Sequence, residues 1–369
     1  MKKLTIIVDN MRIGGFQRLT LDQAYGLSKL GMEVNVLVLC DRKSLLGGSF
    51  FELENSLIEI HNISFFWLGD RHWYQLKFIR RHLQFLPEGS KVISHSLRGT
   101  ALVWFAKKLT LSDLKLSTTI HQLPSLSRKL QRFKRFVYSQ LSDTLFAYSE
   151  SVKNDWNSRV NRNYLSRILI GRVPIRVLRN GIYLDRLPNY GGKSSSSGRP
   201  RLIFLGRNAS WKGMSKFLEI ASQETLTRFD ILIMVPTDDS FNLSEIPEII
   251  KSRVTVVTGR SIASLVPIQG DVHLYPSNYG HGVKYIESIS LNCLEFACIG
   301  VPSLVTKGGL STWMDLADTQ IFNETAWLNL DEVSKLISDV SSKRFSNLEV
   351  LRLREIIDIQ NQISHLLQS

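Results

Sequence analysis

The chain begins with two short apolar runs. Between them, apolar residues recur at helical spacing. Residues 3–10 form the first run, apolar positions recur at helical spacing from Phe16 to Leu30, and residues 33–40 form a second run. Apolar runs of this length are typical of buried strands, and strand, helix and strand in succession begin a parallel sheet. The pattern predicts a βαβ unit, with Gly14 and Gly15 at the turn into its helix.

The same alternation continues along the chain and predicts an α/β protein. Further strands are predicted at residues 91–94, 116–121, 144–148, 201–206, 230–236 and 253–259. Helices are predicted at about residues 71–86, 98–109, 125–141, 150–158 and 214–223.

A change of composition divides the chain. Residues 187–201 read LPNYGGKSSSSGRPR, without apolar periodicity and rich in Gly, Ser and Pro, which is typical of a linker. A chain of 369 residues is long enough for two domains with sizeable cores. We expect a first domain at residues 1–187, a linker at 188–200 and a second domain at 201–347, followed by a helix at about 348–369.

The region from Asp271 to Gly309 carries the most distinctive chemistry. A predicted strand at residues 271–277 leads into a loop with Glu287, and a predicted helix at 290–299 contains Glu295. Eight residues of helical rise cover about 12 Å, so two carboxylates could accept hydrogen bonds from two hydroxyl-bearing parts of one ligand. The amides at the helix start favour an anion between them, and the layout fits a nucleotide sugar.

Several other positions have both a structural and a functional interpretation. His121 ends a predicted strand, where open α/β sheets bind ligands, although a lone His is more often structural. Arg207 and Lys212 flank a strand-to-helix turn and are either a solvated pair or ligands for a diphosphate. Gly14 and Gly15 either make a tight turn or let a ligand approach the backbone.

Composition narrows the class of protein. The sequence is 43% hydrophobic and 21% charged, which is ordinary for a soluble globular protein. No apolar run approaches the ~18 residues of a membrane span, and the run after Lys3 is too short for a signal peptide. We expect a cytoplasmic protein that is not an integral membrane protein. Its three cysteines, at positions 40, 293 and 298, are expected to be buried thiols, and no metal site is predicted.

The positive charge is concentrated in the first half of the chain. Of the net +13, residues 1–190 carry +15 and residues 191–369 carry −2. Such asymmetry predicts a polyanionic partner for the first half, which could be nucleic acid, an anionic membrane or an acidic substrate. No nucleic-acid recognition motif accompanies the charge, so we do not expect a nucleic-acid partner.

A basic amphipathic helix is predicted at residues 125–141. Its apolar positions recur at helical spacing, and basic residues fill the remainder, among them Arg128, Lys129, Arg132 and Arg135. The pattern fits a domain helix with a solvated exterior, and it also fits a helix that lies on a membrane surface. We expect peripheral attachment to an anionic membrane, on the inner face of the cell membrane.

The region around the two glutamates resembles the donor-site signature of the retaining glycosyltransferases of family 4, which have the GT-B fold. The matching residues are Pro276, Ser277, Glu287, Glu295, Gly300, Pro302, Gly308 and Gly309. The chain departs from the family in two ways: Ser288, Ile289 and Ser290 follow the first Glu in place of Gly-Phe-Gly, and about seven extra residues precede it.

The resemblance implies two Rossmann-like domains that face a central cleft, with the final helix crossing back onto the first domain. It implies that the Gly14-Gly15 loop faces the donor diphosphate and that His121 and Glu287 face the donor sugar. The family's Gly-Arg-x4-Lys-Gly motif matches in register and implies diphosphate binding by Arg207 and Lys212. It further implies donor contacts from Ser288, Ile289 and Ser290, and ribose binding by Glu295.

The implied function is transfer of a sugar, with retention of configuration, from a UDP-, GDP- or ADP-sugar. The acceptor is expected to be a hydroxyl of a glycan or of a lipid-linked acceptor in bacterial surface polysaccharide or glycolipid synthesis. The enzyme would be a hexosyltransferase that needs neither a metal nor a cofactor. Two alternatives remain open: a nucleotide-sugar 2-epimerase of the same fold, and a catalytically decayed partner subunit that binds nucleotide sugars.

Overall fold

The chain forms two compact units, each built on a parallel sheet. The computed structural model describes residues 3–11, 15–41, 62–120, 128–148, 150–160, 173–187, 198–235, 241–259, 262, 265–277, 290–306, 319, 321–325 and 327–367. Unit 1 comprises Met1–Gly181 and Gln362–Ser369, and unit 2 comprises Ile182–Asn361. The predicted linker at 188–200 lies mostly outside the described residues, and the predicted domain boundaries stay predictions.

Unit 1 alternates strands and helices. Its strands are β1 (Lys3–Val8), β2 (Glu33–Val38), β3 (Ile63–Trp67), β4 (Lys91–Ser94), β5 (Lys115–Ile120), β6 (Thr144–Ala147) and β7 (Ile175–Val177). Its helices are α1 (Gly15–Lys29), α2 (His72–Gln84), α3 (Leu97–Thr110), α4 (Arg128–Leu141) and α5 (Glu150–Val160). The strands form one parallel sheet in the order β3-β2-β1-β4-β5-β6-β7.

The sheet of unit 1 is buried because helices cover it, as parallel sheets require. Five of the six residues of β1 and of β2 are buried. The helices α2 and α3 close a core that includes Ile79, Val92, Val103 and Leu116. The predicted βαβ opening of the chain is confirmed.

Unit 2 repeats the theme with a second sheet. Its strands are β8 (Arg201–Leu205), β9 (Asp230–Val235), β10 (Val254–Thr258), β11 (Val272–Tyr275), β12 (Ser303–Thr306) and β13 (Phe322–Thr325). Its main helices are α6 (Met214–Ala221), α7 (Leu291–Cys298), α8 (Leu330–Ser342) and α9 (Asn347–Ile357), and α10 (Ile359–Leu367) spans the division between the units. The strands pair in parallel in the order β10-β9-β8-β11-β12-β13.

A buried carboxylate fixes the two central strands of this sheet at their amino ends. Asp271 precedes β11 and accepts hydrogen bonds from the Arg201 backbone amide at 2.9 Å and from its Nη2 at 2.5 Å. The Ile268 amide donates to the same carboxylate at 2.9 Å. A charged pair with further hydrogen bonds can be stable when buried, so Asp271 sets how β8 and β11 lie together.

The α/β class predicted from the sequence is confirmed, while one element differs. The single helix expected at about 348–369 is two helices, α9 and α10, separated at Asp358, whose ψ of 128° is not helical. The reason is a backbone pairing: Ile182 donates to the Ile357 carbonyl at 3.0 Å and accepts from the Ile359 amide at 2.9 Å. A helix cannot continue through a residue whose neighbours are engaged in this way.

Among the elements that the sequence prediction in the described part of the chain did not include are β3, β13 and α8. All three cysteines are buried thiols, as expected. Within the described part of the chain, no helix is long and apolar enough to cross a membrane.

Candidate functional site

The order of strands in unit 2 creates one natural place for a ligand. From β8 the chain proceeds outward through β9 to β10, then returns to β11 beside β8 and proceeds outward the other way. Open α/β sheets bind ligands at the carboxyl ends of the strands where the order reverses in this way. Here that point lies between the ends of β8 and β11, where Leu205 and Tyr275 are the last residues.

The loop after β8 is packed tightly against the end of β11. Gly213 has φ of +80°, and a Cβ atom there would overlap the carbonyl oxygen of Pro276. Only glycine combines this backbone conformation with so close an approach. Gly213, the glycine of the predicted Lys-Gly pair, therefore allows the loop after β8 to lie directly against the backbone that follows β11 at the switch point.

Lys212 lies at this point and is already oriented. It ends a short 3-10 helix, Ser210–Lys212, and its Nζ donates to the Tyr275 hydroxyl at 2.8 Å. The same ammonium lies 5.2 Å from the centre of the Tyr275 ring. The hydrogen bond from Lys212 to the Tyr275 hydroxyl orients the ammonium, whose positive charge can still attract an anion. Arg207, on the same loop, is exposed.

The start of α7 faces the same edge of the sheet. Ser290 caps the helix by accepting a hydrogen bond from the Cys293 amide at 3.4 Å. Asn292, in the first turn, donates from Nδ2 to the carbonyl of Leu205 at 3.1 Å. This bond fixes the helix start against the end of β8, so the anion-favouring end of α7 is directed at the switch point.

Glu295 is inside α7 as predicted, and it is paired. Its side chain is 5% exposed and forms an ion pair with Arg186, which is 7% exposed and belongs to the 3-10 helix Leu184–Arg186. Arg354 lies nearby, donating to the Cys298 carbonyl at 3.2 Å. Burial, the largest cause, raises the pKa of the Cys298 thiol to about 12, so the thiol stays protonated.

Behind the site, a histidine belongs to the core of unit 2. His273 on β11 stacks on Phe296 at 4.2 Å between ring centres, and its Nδ1 lies 2.9 Å from the Ser303 hydroxyl. Complete burial lowers the pKa of His273 to about 3, so the ring is neutral. His273 therefore supports the packing of α7 on β11. Because its ring is neutral, it adds no charge to the switch point.

Unit 1 has a corresponding switch point between β1 and β4. Gly15, the first residue of α1, follows β1 there and is exposed. At the end of β4, the buried His95 contacts the Thr119 hydroxyl at 2.7 Å and the Tyr148 hydroxyl at 3.3 Å through Nδ1. Burial raises the pKa of Tyr148, so its hydroxyl stays neutral.

Several predicted site residues lie outside the described residues, and their roles stay predictions. They are Gly14, His121, Glu287, Ser288 and Ile289, together with the glycines at 308 and 309.

The basic helix α4 is present, beginning at Arg128. The structure describes its backbone but not the side chains of Arg128, Lys129 and Arg132. The Arg135 side chain is half-buried, with its guanidinium 5.8 Å from the ring centre of Trp156 on α5. Of the four basic residues expected on the membrane side, Arg135 thus packs against a neighbouring helix.

Sequence analysis missed three residues of the unit 2 site. Tyr275 and Asn292 carry no sequence signal beyond their positions at a strand end and in a first helical turn. Arg186 lies 109 residues before its partner Glu295, and nothing local indicates the pairing. Among the described residues, no three His, Cys, Asp or Glu side chains lie close enough together to hold a metal ion.

Solved structures share this fold over their full length. Anabaena Alr3699/HepE, crystallised with UDP, covers 100% of each chain with 14% identity and a TM-score of 0.71, and its complex with UDP-glucose gives 0.70. A glycosyltransferase from Rickettsia africae matches with 16% identity and a TM-score of 0.67, covering 99% of this chain and 96% of its own. The lipopolysaccharide outer core galactosyltransferase WaaB matches with 12% identity and a TM-score of 0.61, covering 99% and 98%.

The two sheets and their agreement with these structures show the GT-B fold. The family model described as Glycosyltransferase Family 4 matches residues 13–186, nearly all of unit 1. The first half of the chain thus resembles the family 4 glycosyltransferases, and the whole chain shares the GT-B fold. No curated protein sequence matches the chain.

Proposed function

We propose that the protein is a retaining glycosyltransferase that moves a sugar from a nucleotide-diphosphate sugar to a hydroxyl of a glycan or lipid-linked acceptor. The observation that carries the proposal is the convergence of Lys212 and the start of α7 at the switch point of unit 2. Both favour an anion, and a diphosphate is the anion of a nucleotide sugar. HepE was solved with UDP and UDP-glucose, so UDP-sugars are the first donors to test, before GDP- and ADP-sugars.

The proposed chemistry breaks the bond between the sugar carbon and the phosphate oxygen. Negative charge then develops on the departing diphosphate, where Arg207, Lys212 and the amides at the start of α7 would stabilise it without a metal. The acceptor hydroxyl attacks from the face that the phosphate leaves and gives its proton to that phosphate. Glu287 and His121 would position the sugar.

The remaining donor contacts are assigned to the ribose and to the diphosphate. Glu295 would accept a hydrogen bond from the ribose, while the ion pair with Arg186 fixes the position of its carboxylate. Ser288, Ile289 and Ser290 would lie along the donor at the start of α7, and Gly14 and Gly15 would approach the diphosphate. The acceptor class fits surface polysaccharide or glycolipid synthesis, and WaaB acts as a lipopolysaccharide outer core galactosyltransferase.

A donor screen tests this proposal. The purified protein is incubated with UDP-glucose, GDP-mannose or ADP-glucose and a lipid extract as acceptor, and nucleotide release and new glycolipid are measured. Proton NMR of the product reports whether the anomeric configuration is retained. We expect Glu287→Gln to lower turnover while sparing nucleotide binding, and Glu295→Gln to weaken binding of free nucleotide. Equal loss of binding in both variants would contradict this division of roles.

The same screen separates the alternatives. A 2-epimerase would release the nucleotide from its donor without any acceptor. A decayed partner subunit would bind a nucleotide and show no turnover. A transferase requires both the donor and the acceptor.

We also propose that the protein works in the cytoplasm, peripherally on the inner face of the cell membrane. The excess of positive charge in the first half of the chain and the basic helix α4 support this location.

A further inference from the structure

We propose that the outward side of α2 and α3, here called the α2–α3 face, docks onto an anionic lipid surface. The proposal deepens the peripheral location proposed above and rests on it, but it assigns the contact to helices other than α4. It stands on three observations: the packing of α2 beside α3, the exposed aromatic side chains of both helices, and their one-sided charge.

The two helices lie side by side and begin at the same end. Arg98, in the first turn of α3, donates from Nη2 to the Gln75 side chain at 2.8 Å and contacts His72 Nδ1 at 2.9 Å, both in the first turn of α2. The inner side of α2 is buried through Gln75, Ile79 and Leu83. The outer sides of α2 and α3 are therefore free to form one surface.

The outer side of α2 combines aromatic and basic residues. Trp73 is 83% exposed and Phe85, which follows the helix, is 74% exposed. Between them lie the exposed Lys77, Arg80 and Arg81, at the spacing that places residues on one helical face. Twelve residues of helical rise separate the two aromatic side chains by about 18 Å, which suits a flat, extended partner.

The outer side of α3 continues the pattern. Phe105 is 53% exposed and Leu109 is 55% exposed, and Lys108 is exposed beside them. Trp104 supports this side, with the Phe105 ring edge-on at 5.0 Å and the Lys108 ammonium 5.8 Å from its ring centre. Soluble domains rarely expose so many large apolar side chains together, and such a patch indicates an interaction surface.

The charge on this face has one sign. Neither α2 nor α3 contains an Asp or Glu, whereas each contains three Lys or Arg residues. A basic surface interleaved with aromatic side chains matches the boundary between anionic headgroups and acyl chains, where rings insert and cations remain in water. An acidic protein could form ion pairs with the basic residues of this face. Trp73 and Phe85, however, lie too far apart to enter one groove on such a partner.

Vesicle sedimentation tests the proposal with the full-length protein. We expect the protein to sediment with vesicles of equal parts phosphatidylcholine and phosphatidylglycerol, to remain in solution with phosphatidylcholine alone, and to be released by salt. The triple variant Lys77→Ser, Arg80→Ser, Arg81→Ser should bind at least about tenfold more weakly, since each basic residue near such a surface contributes roughly a fivefold factor. The pair Trp73→Ser, Phe85→Ser should also weaken binding to the anionic vesicles, because the inserted rings are lost.

A charge-matched control removes three exposed basic residues from unit 2, with Lys343→Ser, Arg344→Ser and Arg352→Ser. It should bind vesicles as the unchanged protein does. A second readout is the fluorescence of Trp73, taken as the difference between the unchanged protein and Trp73→Phe. This difference should shift to shorter wavelength on the anionic vesicles, because the ring leaves water.

Three outcomes would overturn the proposal. They are no binding to anionic vesicles, an unshifted Trp73 signal, and loss of binding only when Arg128, Lys129, Arg132 and Arg135 of α4 are changed to Ser. The last outcome would retain the peripheral location and move the contact to α4. Nucleotide affinity, measured on the same variants, should be unchanged, so a failure of the donor-site proposal is recognised separately.

Discussion

At the scale of single residues, Gly213 explains why a short motif is needed at the end of β8. Its positive φ and its contact with the Pro276 carbonyl leave no room for a side chain. The motif residues before it, Gly206, Arg207 and Lys212, were recognisable in the sequence because their spacing is local. Tyr275, which holds Lys212, lies on another strand, so only the folded sheet shows the contact.

We predict that Gly213→Ala lowers the free energy of unfolding by about 2–4 kcal/mol, because a strained backbone and a steric overlap occur together. Gly31→Ala is the matched control. Gly31 has the same φ of +80°, but a Cβ there meets nothing within 4 Å. That variant should cost only about 1 kcal/mol. Urea denaturation of both variants measures the difference, and equal costs would contradict the packing of the two loops.

A second residue-scale prediction concerns pH. The pKa of His273 is lowered to about 3 in the folded protein, below its ordinary 6.5, so the unfolded chain binds the extra proton first as the pH falls. The stability that the neutral ring supports is present above pH 6.5 and is lost progressively toward pH 3. Between these two pKa values, the free energy of unfolding should fall by up to about 1.4 kcal/mol per pH unit.

The measurement is urea unfolding of the unchanged protein and of His273→Gln at several pH values, from about 7 down to about 4. The protein is expected to remain folded in this range. The variant should be less stable at neutral pH, and its stability should fall less steeply with acid. Parallel slopes would show that the ring is not held neutral.

At the scale of elements, α7 is fixed by two contacts that differ in kind. Its start is held by Asn292 on the Leu205 carbonyl, and its middle is held by the buried pair of Glu295 with Arg186. Removing one partner of a buried ion pair leaves the other charge without compensation, which costs far more than the pair itself contributes.

We therefore predict that Glu295→Gln lowers the free energy of unfolding by about 3–5 kcal/mol, and that Arg186→Met combined with Glu295→Leu recovers most of this loss. Glu248→Gln provides the control, since it breaks the exposed pair with Lys251 and should cost less than about 1 kcal/mol. Thermal and urea unfolding measure all three. A double variant as unstable as Glu295→Gln would contradict the pairing.

Elements with strong local signals were predictable from the sequence, and those set by distant contacts were not. The helix α7 was found because its apolar residues recur at helical spacing and Gly300 and Pro302 follow it. The helix α8 also had a local signal, an Asn329 cap followed by acidic residues, which went unused. The break at Asp358 had none, because it depends on backbone bonds to Ile182.

At the scale of the whole molecule, charge and fold divide the chain in similar places. Residues 1–190 carry +15 and the rest carry −2, while unit 1 ends its main segment at Gly181. Net charge follows from composition alone and was readable at once. The surface on which the charge acts was not, because α2 and α3 show their shared face only when packed together.

The central claim is that the switch point of unit 2 binds the diphosphate of a nucleotide sugar. Calorimetric titration with UDP, GDP and ADP tests it on the unchanged protein, on Arg207→Ala and on Lys212→Ala. Lys251→Ala is the control. Lys251 precedes β10 and so lies at the amino ends of the strands, whereas the switch point lies at their carboxyl ends. We predict that one of the three nucleotides binds to the unchanged protein. Each site variant should weaken the free energy of its binding by about 1.5–3 kcal/mol, and the control should leave it unchanged. Absence of binding by all three nucleotides, or unchanged affinity in both site variants, would contradict the account.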